Sequence, residues 1–415
     1  MTPLPRRSLL AGAGATALAV GAAHPALARP AGPHRATAPP SLPSRSGRHP
    51  TRSVPLPPPD TDALHTALRD LGHPPSICAQ LRVDTPDTHW YGGAGRTRPG
   101  GGRAPRSGDR FRAGSVTKAF VATVVLKLWS QGRLGLDDPV GRHLPGLLPP
   151  ASARITVAQL LDHTSGLPDH RGLPDLSTPE AVLRHRFDRW TPRRLVATVA
   201  HGGPVFEPGT AQEYRGIHYV LLALIVEAVT GRPYGEVIDR EIARPLRLGS
   251  TLTPGNDPRI HGPHLRGTLR MSDGSLRDIT VRDRSSAWGE GELISTVDDL
   301  ARFQYALFSG ELLPPHAQER LFALPPGDVR MVGGGPARYS TGLQWVAVNG
   351  VTFWGKTGDT PGYRTRLFAT SDLRLRFVLS YTPTPLRTEE QLVRRIAAIL
   401  TGGAGGRGHG ERGNK

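Results

Sequence analysis

The run from Val116 to Ser130 is apolar nearly all the way round. Read as a helix, it has no polar face to offer to water, so it must be a central helix covered on every side. Yet Lys118 sits in its first turn, three residues after Ser115 and on the same side. A charge there is costly unless it is paired, so a lowered pKa or a shared proton is expected for Lys118. The chain contains 52 Lys plus Arg, but only Lys118, Lys127, Lys356 and Lys415 are lysines. Arginine keeps its proton at any accessible pH, whereas lysine can be tuned to release it. A scarce, titratable amine beside a serine, inside a helix that has to be buried, constrains the whole architecture.

The elements around this helix fall into a pattern. Leu64, Leu68 and Leu71 repeat at helical spacing after an Asp60/Thr61 cap, with Gly72 as the stop. Ser76 to Val83 and Thr88 to Ala94 read as a strand hairpin. From about 134 to 284 the signals are helices and long loops, including a strong helix from Tyr219 to Thr230 ended by Gly231. Thr296 with Asp299 caps another helix. Strand signals then return: Leu343 to Val348 and Val351 to Lys356 flank Asn349-Gly350, followed by Thr365 to Thr370 and Leu375 to Tyr381. Thr388 and Gln391 form a capping box for a closing helix with Leu392, Ile396 and Ile399 on one face. Strands at both ends with helices between them predict an α+β domain. An antiparallel sheet is flanked by the N- and C-terminal helices, and an all-helical insert covers about 116–285.

The termini read differently. Arg6-Arg7-Ser8-Leu9-Leu10 is a twin-arginine start, an apolar stretch runs to about Ala23, and Ala26-Leu27-Ala28 is an A-x-A cleavage site. Residues 1–28 are therefore expected to be an export signal, and the mature protein is expected to be secreted without a stable membrane anchor. Residues 29–59, rich in Pro, Arg, Ser and His, read as a linker, 60–400 as the folded domain, and 401–415 as a polar, glycine-rich tail. The net charge of +17 comes from scattered arginines with no helix-turn-helix or zinc-finger spacing, which argues against a nucleic-acid partner. Cys78 is the only cysteine, so no internal disulfide can form, and its apolar neighbours mark it as a small buried hydrophobe. The 16 histidines show no metal-ligand spacing on a helix, and Gly333-Gly334-Gly335 lacks the Lys-Ser/Thr of a phosphate cradle. Neither metal nor other cofactor is expected.

Ser-x-x-Lys alone is a common accident, but a second scarce lysine changes its weight. Lys356-Thr357-Gly358 ends the strand after the Asn349-Gly350 hairpin, offering a cation, a hydroxyl and a residue without a side chain. Ser115 at a helix start gains free N–H groups and the positive end of the helix dipole, which favour negative charge on its oxygen and on an acyl oxyanion. With Phe111-Arg112-Ala113-Gly114 before Ser115, Gln159-Leu160-Leu161-Asp162-His163-Thr164-Ser165-Gly166, Glu207-Pro208-Gly209-Thr210 and Gly358-Asp359-Thr360-Pro361-Gly362-Tyr363, the chain resembles the serine β-lactamase superfamily over about 60–400. The likeness is to its class C β-lactamase and D-alanyl-D-alanine carboxypeptidase branch.

That resemblance implies a β-lactamase/transpeptidase-like fold and a serine hydrolase working through an acyl-enzyme. Ser115, Lys118 and Tyr214 would be catalytic, and the backbone N–H groups of Ser115 and Asp359 would form the oxyanion hole. Lys356, Thr357, Gly358 and Trp288 would bind substrate: a cell-wall peptide, an ester or a β-lactam. D-alanyl-D-alanine carboxypeptidase-like activity is the first expectation. An esterase or weak β-lactamase on the same site, or a non-catalytic cell-wall peptide binder, is the alternative. Trp288 could equally be a core residue, and Asp162 and His163 read as structural. One departure matters: the family's Tyr-x-Asn is Tyr214-Arg215-Gly216 here, so the asparagine that holds the substrate's acyl amide is missing. Arg215 is expected to face solvent. Asp359 puts an acid where a carboxylate-ended substrate would favour a hydroxyl.

Overall fold

A computed structural model describes residues 55–403. The expected export segment, most of the linker and most of the tail lie outside the described residues. The first helix, α1 (Thr61–Arg69), starts where expected: Asp60 accepts from the Ala63 backbone N–H. The hairpin β1 (Ser76–Asp84) and β2 (His89–Gly95) follows, then the buried helix α2 (Thr117–Ser130). Helix α3 spans Ile217–Thr230, with Gly231 in the left-handed conformation at its end, and α4 spans Val297–Ser309 behind its Thr296 cap. The late strands are β3 (Gln344–Val348), β4 (Val351–Thr360), β5 (Tyr363–Ala369) and β6 (Arg376–Pro383), and the last helix is α5 (Gln391–Leu400).

The six strands form one antiparallel sheet in the order β2-β1-β6-β5-β4-β3, so the two ends of the chain meet at the β1–β6 pair. Asn349 and Gly350, both at positive φ, make the two-residue turn between β3 and β4. One sheet face packs on α1 and α5 through Leu64, Leu68, Phe353, Phe377, Leu379, Leu392 and Ile396. The other face, through Cys78, Leu367 and Val378, joins a larger core built on α2, α3 and α4. Burial on both faces explains why β5 is buried at every position, where an antiparallel sheet with one wet face would alternate. Cys78 lies in this core, and burial pushes its thiol up to about 12.

Two details depart from the sequence reading. The segment between α2 and α4 is mainly helical but also carries a short hairpin, Thr268–Arg270 with Leu276–Asp278. The closing helix has no Thr388–Gln391 box; it begins after Glu390, whose carboxylate is bound to the buried Arg366 guanidinium. An ion pair to a central strand fixes that helix start in place of a local cap. Among the described residues no helix is long and apolar enough to cross a membrane.

Helix α2 is as central as its composition demands, with eleven of its fourteen residues buried. Phe120 stacks on Phe303 of α4 at 3.7 Å between ring centres, tying the helical side to the layer on the sheet. Truncating a fully buried phenylalanine removes its burial and leaves a cavity. Phe120→Ala should therefore lose about 3–5 kcal/mol of stability in urea denaturation. A loss below about 1 kcal/mol would contradict this place for α2.

Candidate active site

Ser115 lies in a one-turn 3-10 segment, Gly114–Val116, that runs straight into α2. Two neighbours hold this turn. On one side Phe111 pairs with Ser295, and the Ala113 N–H donates to the Leu293 carbonyl at 2.8 Å. On the other side β4 presses against it backbone to backbone. A Cβ on Gly358 would lie 1.9 Å from the Ala113 carbonyl oxygen. Gly114 has φ +57°, and a Cβ there would lie 2.9 Å from the Asp359 amide nitrogen. Glycine is thus required at both places by close approach. The contact brings the Asp359 amide beside the turn that carries Ser115, as the expected oxyanion pair requires. Pairing of β4 with β3 ends at Gly355–Gln344, while pairing with β5 continues to Thr360. The β4 edge from Lys356 onward is therefore open for an extended substrate.

The three expected catalytic side chains converge. Tyr214 Oη donates to Ser115 Oγ at 2.9 Å, and Lys118 Nζ donates to the same oxygen at 3.3 Å. Lys118 Nζ also donates to the Glu290 carbonyl at 2.8 Å and to Glu290 Oε2 at 3.0 Å. Lys356 Nζ stands 4.8 Å from the centre of the Tyr214 ring, and Lys118 Nζ stands 5.1 Å from it. Both amines are buried. Lys127, by contrast, pairs with Glu241 outside this site.

Burial penalises every charge here, so the pairings decide the protonation states. Burial raises the Tyr214 phenol, but the Lys118 and Lys356 ammonium groups outweigh it and hold the phenol below its ordinary range. Of the two outcomes expected for Lys118, a lowered pKa or a shared proton, the structure has the shared proton without the lowered pKa. Burial works against its charge, but Tyr214 and the Glu290 carboxylate overcome the penalty and raise it. Lys356 is the amine held below the usual range, by burial in spite of Tyr214 and with repulsion from Lys118 adding to it. The arrangement therefore holds a phenol of lowered pKa beside two buried amines, one of them paired with a carboxylate.

The remaining expected residues separate into groups. Thr357 Oγ1 donates to Gln344 Oε1 at 3.1 Å, and Lys356 Nζ reaches the same oxygen at 3.5 Å, so Gln344 of β3 joins them as a site residue that no motif announced. Gly358 serves the packing of β4 on the nucleophile turn as well as leaving the strand edge bare. The Asp359 carboxylate pairs with Arg366 at 2.7 Å and Arg364 at 3.4 Å, which offsets the negative charge that counts against an anionic substrate. Trp288 is half-buried and packs edge-on against Tyr234, with ring centres 4.8 Å apart; its contacts are with the core. Arg215 is tied down by Glu213 at 2.7 Å and Asp169 at 3.1 Å, where free solvent exposure was expected, because both acids flank it. His163 is buried, bonded to His218 at 2.8 Å between Nδ1 atoms, and its ring lies 4.6 Å from Tyr214. Burial, with His218 and Lys118 beside it, keeps His163 well below its ordinary pKa, so it forms a neutral wall behind the phenol.

Glu290 was missed entirely by the sequence reading. It follows Trp288 on the segment that leads into Leu293, so the hydrogen bond that holds Ala113 also brings Glu290 to Lys118. The only signal was indirect: Gly216 leaves a space where the family places an asparagine.

Activity that uses a deprotonated Tyr214 rises as pH increases through its pKa. Removing one of the two cations that hold that pKa down moves the rise to higher pH. The acid limb of the kcat/KM profile should therefore shift to higher pH in Lys356→Met, and an unmoved limb would show that Tyr214 is not the titrating base.

Similarity to known proteins agrees with this geometry. The Beta-lactamase family profile matches residues 82–401. The chain is 28% identical over 254 residues to the putative penicillin-binding protein PbpX of Bacillus subtilis, covering 60% of this chain and 60% of that protein. It is also 28% identical over 221 residues to the D-alanyl-D-alanine-carboxypeptidase/endopeptidase AmpH of Escherichia coli, covering 52% and 54% respectively. The matched region thus spans between half and two thirds of these two relatives. A D-stereospecific amidohydrolase from Streptomyces sp. superposes with a TM-score of 0.72 at 32% identity, covering 83% of this chain and all of that one. With the sheet, the central helix and the Ser115–Lys118–Tyr214 cluster in place, the chain belongs to the beta-lactamase family of serine hydrolases.

Proposed function

We propose that the protein is an exported serine hydrolase that cleaves amide bonds through an acyl-enzyme on Ser115. The observation that carries this reading is the 2.9 Å contact between Tyr214 Oη and Ser115 Oγ, with an ammonium group on either side of the phenol ring. In the proposed reaction the Tyr214 phenolate takes the Ser115 proton as Oγ attacks the carbonyl carbon. The amides of Ser115 and Asp359 receive the oxyanion. Collapse breaks the C–N bond, and the leaving amine takes its proton from Tyr214. Water then attacks the acyl-enzyme by the same route and frees Ser115. Lys118, fixed by Glu290, stays an ammonium throughout and keeps the phenolate available.

Two substrate forms suit the site, and both present the carbonyl of a D-residue. The names of the relatives support this: one is a D-alanyl-D-alanine carboxypeptidase and another a D-stereospecific amidohydrolase. In the peptide form, Lys356 and Thr357 hold a terminal carboxylate beyond the scissile bond, and the pairing of Asp359 with Arg366 and Arg364 removes an obstacle to it. In the amide form the leaving group is small and that end of the cleft stays open. A purely peptide-binding role is disfavoured, because a binder has no need for a proton acceptor at the serine. Export rests on residues 1–28 alone.

Intact mass after incubation with penicillin and with an activated ester tests the reading. A covalent adduct on the wild type that is absent in Ser115→Ala is expected. No adduct and no turnover of either probe would overturn the acyl-enzyme.

A further inference from the structure

The third motif of the family ends in glycine here, and the space it vacates is occupied. A Cβ on Gly216 would lie 1.8 Å from Glu290 Oε2 and 2.4 Å from Glu290 Cδ. A side chain at position 216 would have to displace the end of the Glu290 side chain. Glycine at one position and glutamate at the other are therefore a matched pair. We propose that Glu290 takes over the place of the missing asparagine and binds the nitrogen on the acyl side of the substrate, selecting substrates whose D-residue has a free ammonium group. This rests on the acyl-enzyme reading above and narrows its two substrate forms to one.

The argument is one of donors and acceptors. An asparagine amide both donates and accepts, so it can hold the carbonyl and the N–H of an acylated substrate nitrogen. An ionised glutamate only accepts. Burial pushes the Glu290 carboxyl up, but Lys118, with His170 and Arg284 also facing it, outweighs burial and keeps the group ionised. One oxygen, Oε2, is used by Lys118. The other, Oε1, makes no hydrogen bond among the described residues, and the side chain keeps 19% of its surface. Lys118 Nζ links Oε2 to Ser115 Oγ by two successive hydrogen bonds, so the carboxylate lies two hydrogen bonds from the oxygen that attacks the scissile carbonyl. In a D-amino acid amide the α-nitrogen is bonded to the carbon beside that carbonyl, and as an ammonium it answers a poorly solvated carboxylate with charge as well as N–H. An N-acylated nitrogen brings one N–H and a carbonyl oxygen, which the carboxylate repels. Lys118 already pairs with Oε2, so discrimination rests on the second oxygen, which an ammonium meets with charge and N–H and the acylated form meets with a carbonyl oxygen as well.

The test compares kcat/KM for D-alanine p-nitroanilide and N-acetyl-D-alanine p-nitroanilide. The wild type should favour the free amine. Glu290→Gln keeps the size but restores a donor and removes the charge, and should reduce that preference about 10- to 100-fold. Gly216→Asn alone should lose the preference for the free amine, because its side chain displaces the Glu290 carboxylate. Gly216→Asn combined with Glu290→Ala should favour the N-acetyl substrate. A preference unchanged within about twofold in Glu290→Gln, or an active Gly216→Asn single variant with wild-type selectivity, would overturn the assignment. Ser115 adduct formation with penicillin, measured on each variant, separates the two levels. Adducts with unaltered selectivity sink the role of Glu290 alone, whereas no adduct on the wild type sinks the acyl-enzyme reading beneath it.

Discussion

Everything at this site depends on one backbone contact, the seating of β4 against the turn that carries Ser115. Gly358 and Gly114 bring main chain against main chain, with no room for a side chain on either. The contact joins the sheet to the helical side of the molecule, and it joins the two halves of the chemistry. Lys356 and the Asp359 amide arrive on the strand, and Ser115 and Lys118 on the helix. A residue with a Cβ at either glycine would push these halves apart. Hydrogen-bonded and charged groups that act over about 3 Å do not survive such a displacement.

Around that contact the site solves an electrostatic problem. Two ammonium groups are buried close to each other, which neither could sustain alone. Tyr214 lies between them and Glu290 closes the set, so the cost of burying each charge is offset by its neighbours. The neutral His163–His218 pair completes the enclosure behind the phenol without adding a third cation. What emerges is a phenol hydroxyl and an amine that both meet Ser115 Oγ.

Much of this was legible in the sequence because it is local. Ser115 and Lys118 are one helical turn apart, the Asn349-Gly350 turn sets the register of β3 and β4, and the apolar circumference of α2 demanded a central position. Lys356 was conspicuous because lysine is scarce in an arginine-rich chain. What escaped is what depends on distant partners. Glu290 meets Lys118 across 172 positions, through a segment held by its pairing with Phe111 to Ala113. Gln344 reaches Thr357 only because β3 and β4 are adjacent. The same gap hid the start of α5, where an ion pair to another segment replaced the local cap, and left open the setting of Trp288 and Arg215, which ring packing and ion pairs to other segments decide. The lowered-pKa alternative for Lys118 failed for the same reason: the direction depends on Tyr214 and on a carboxylate that no motif revealed.

The central claim is that Tyr214 is an unusually acidic phenol held between two cations. Ultraviolet difference titration of the phenolate band, comparing the wild type with Tyr214→Phe, addresses it directly. One tyrosine of the wild type should ionise below the ordinary tyrosine range, and that step should vanish in Tyr214→Phe. Identical titration curves for the two proteins would contradict the account.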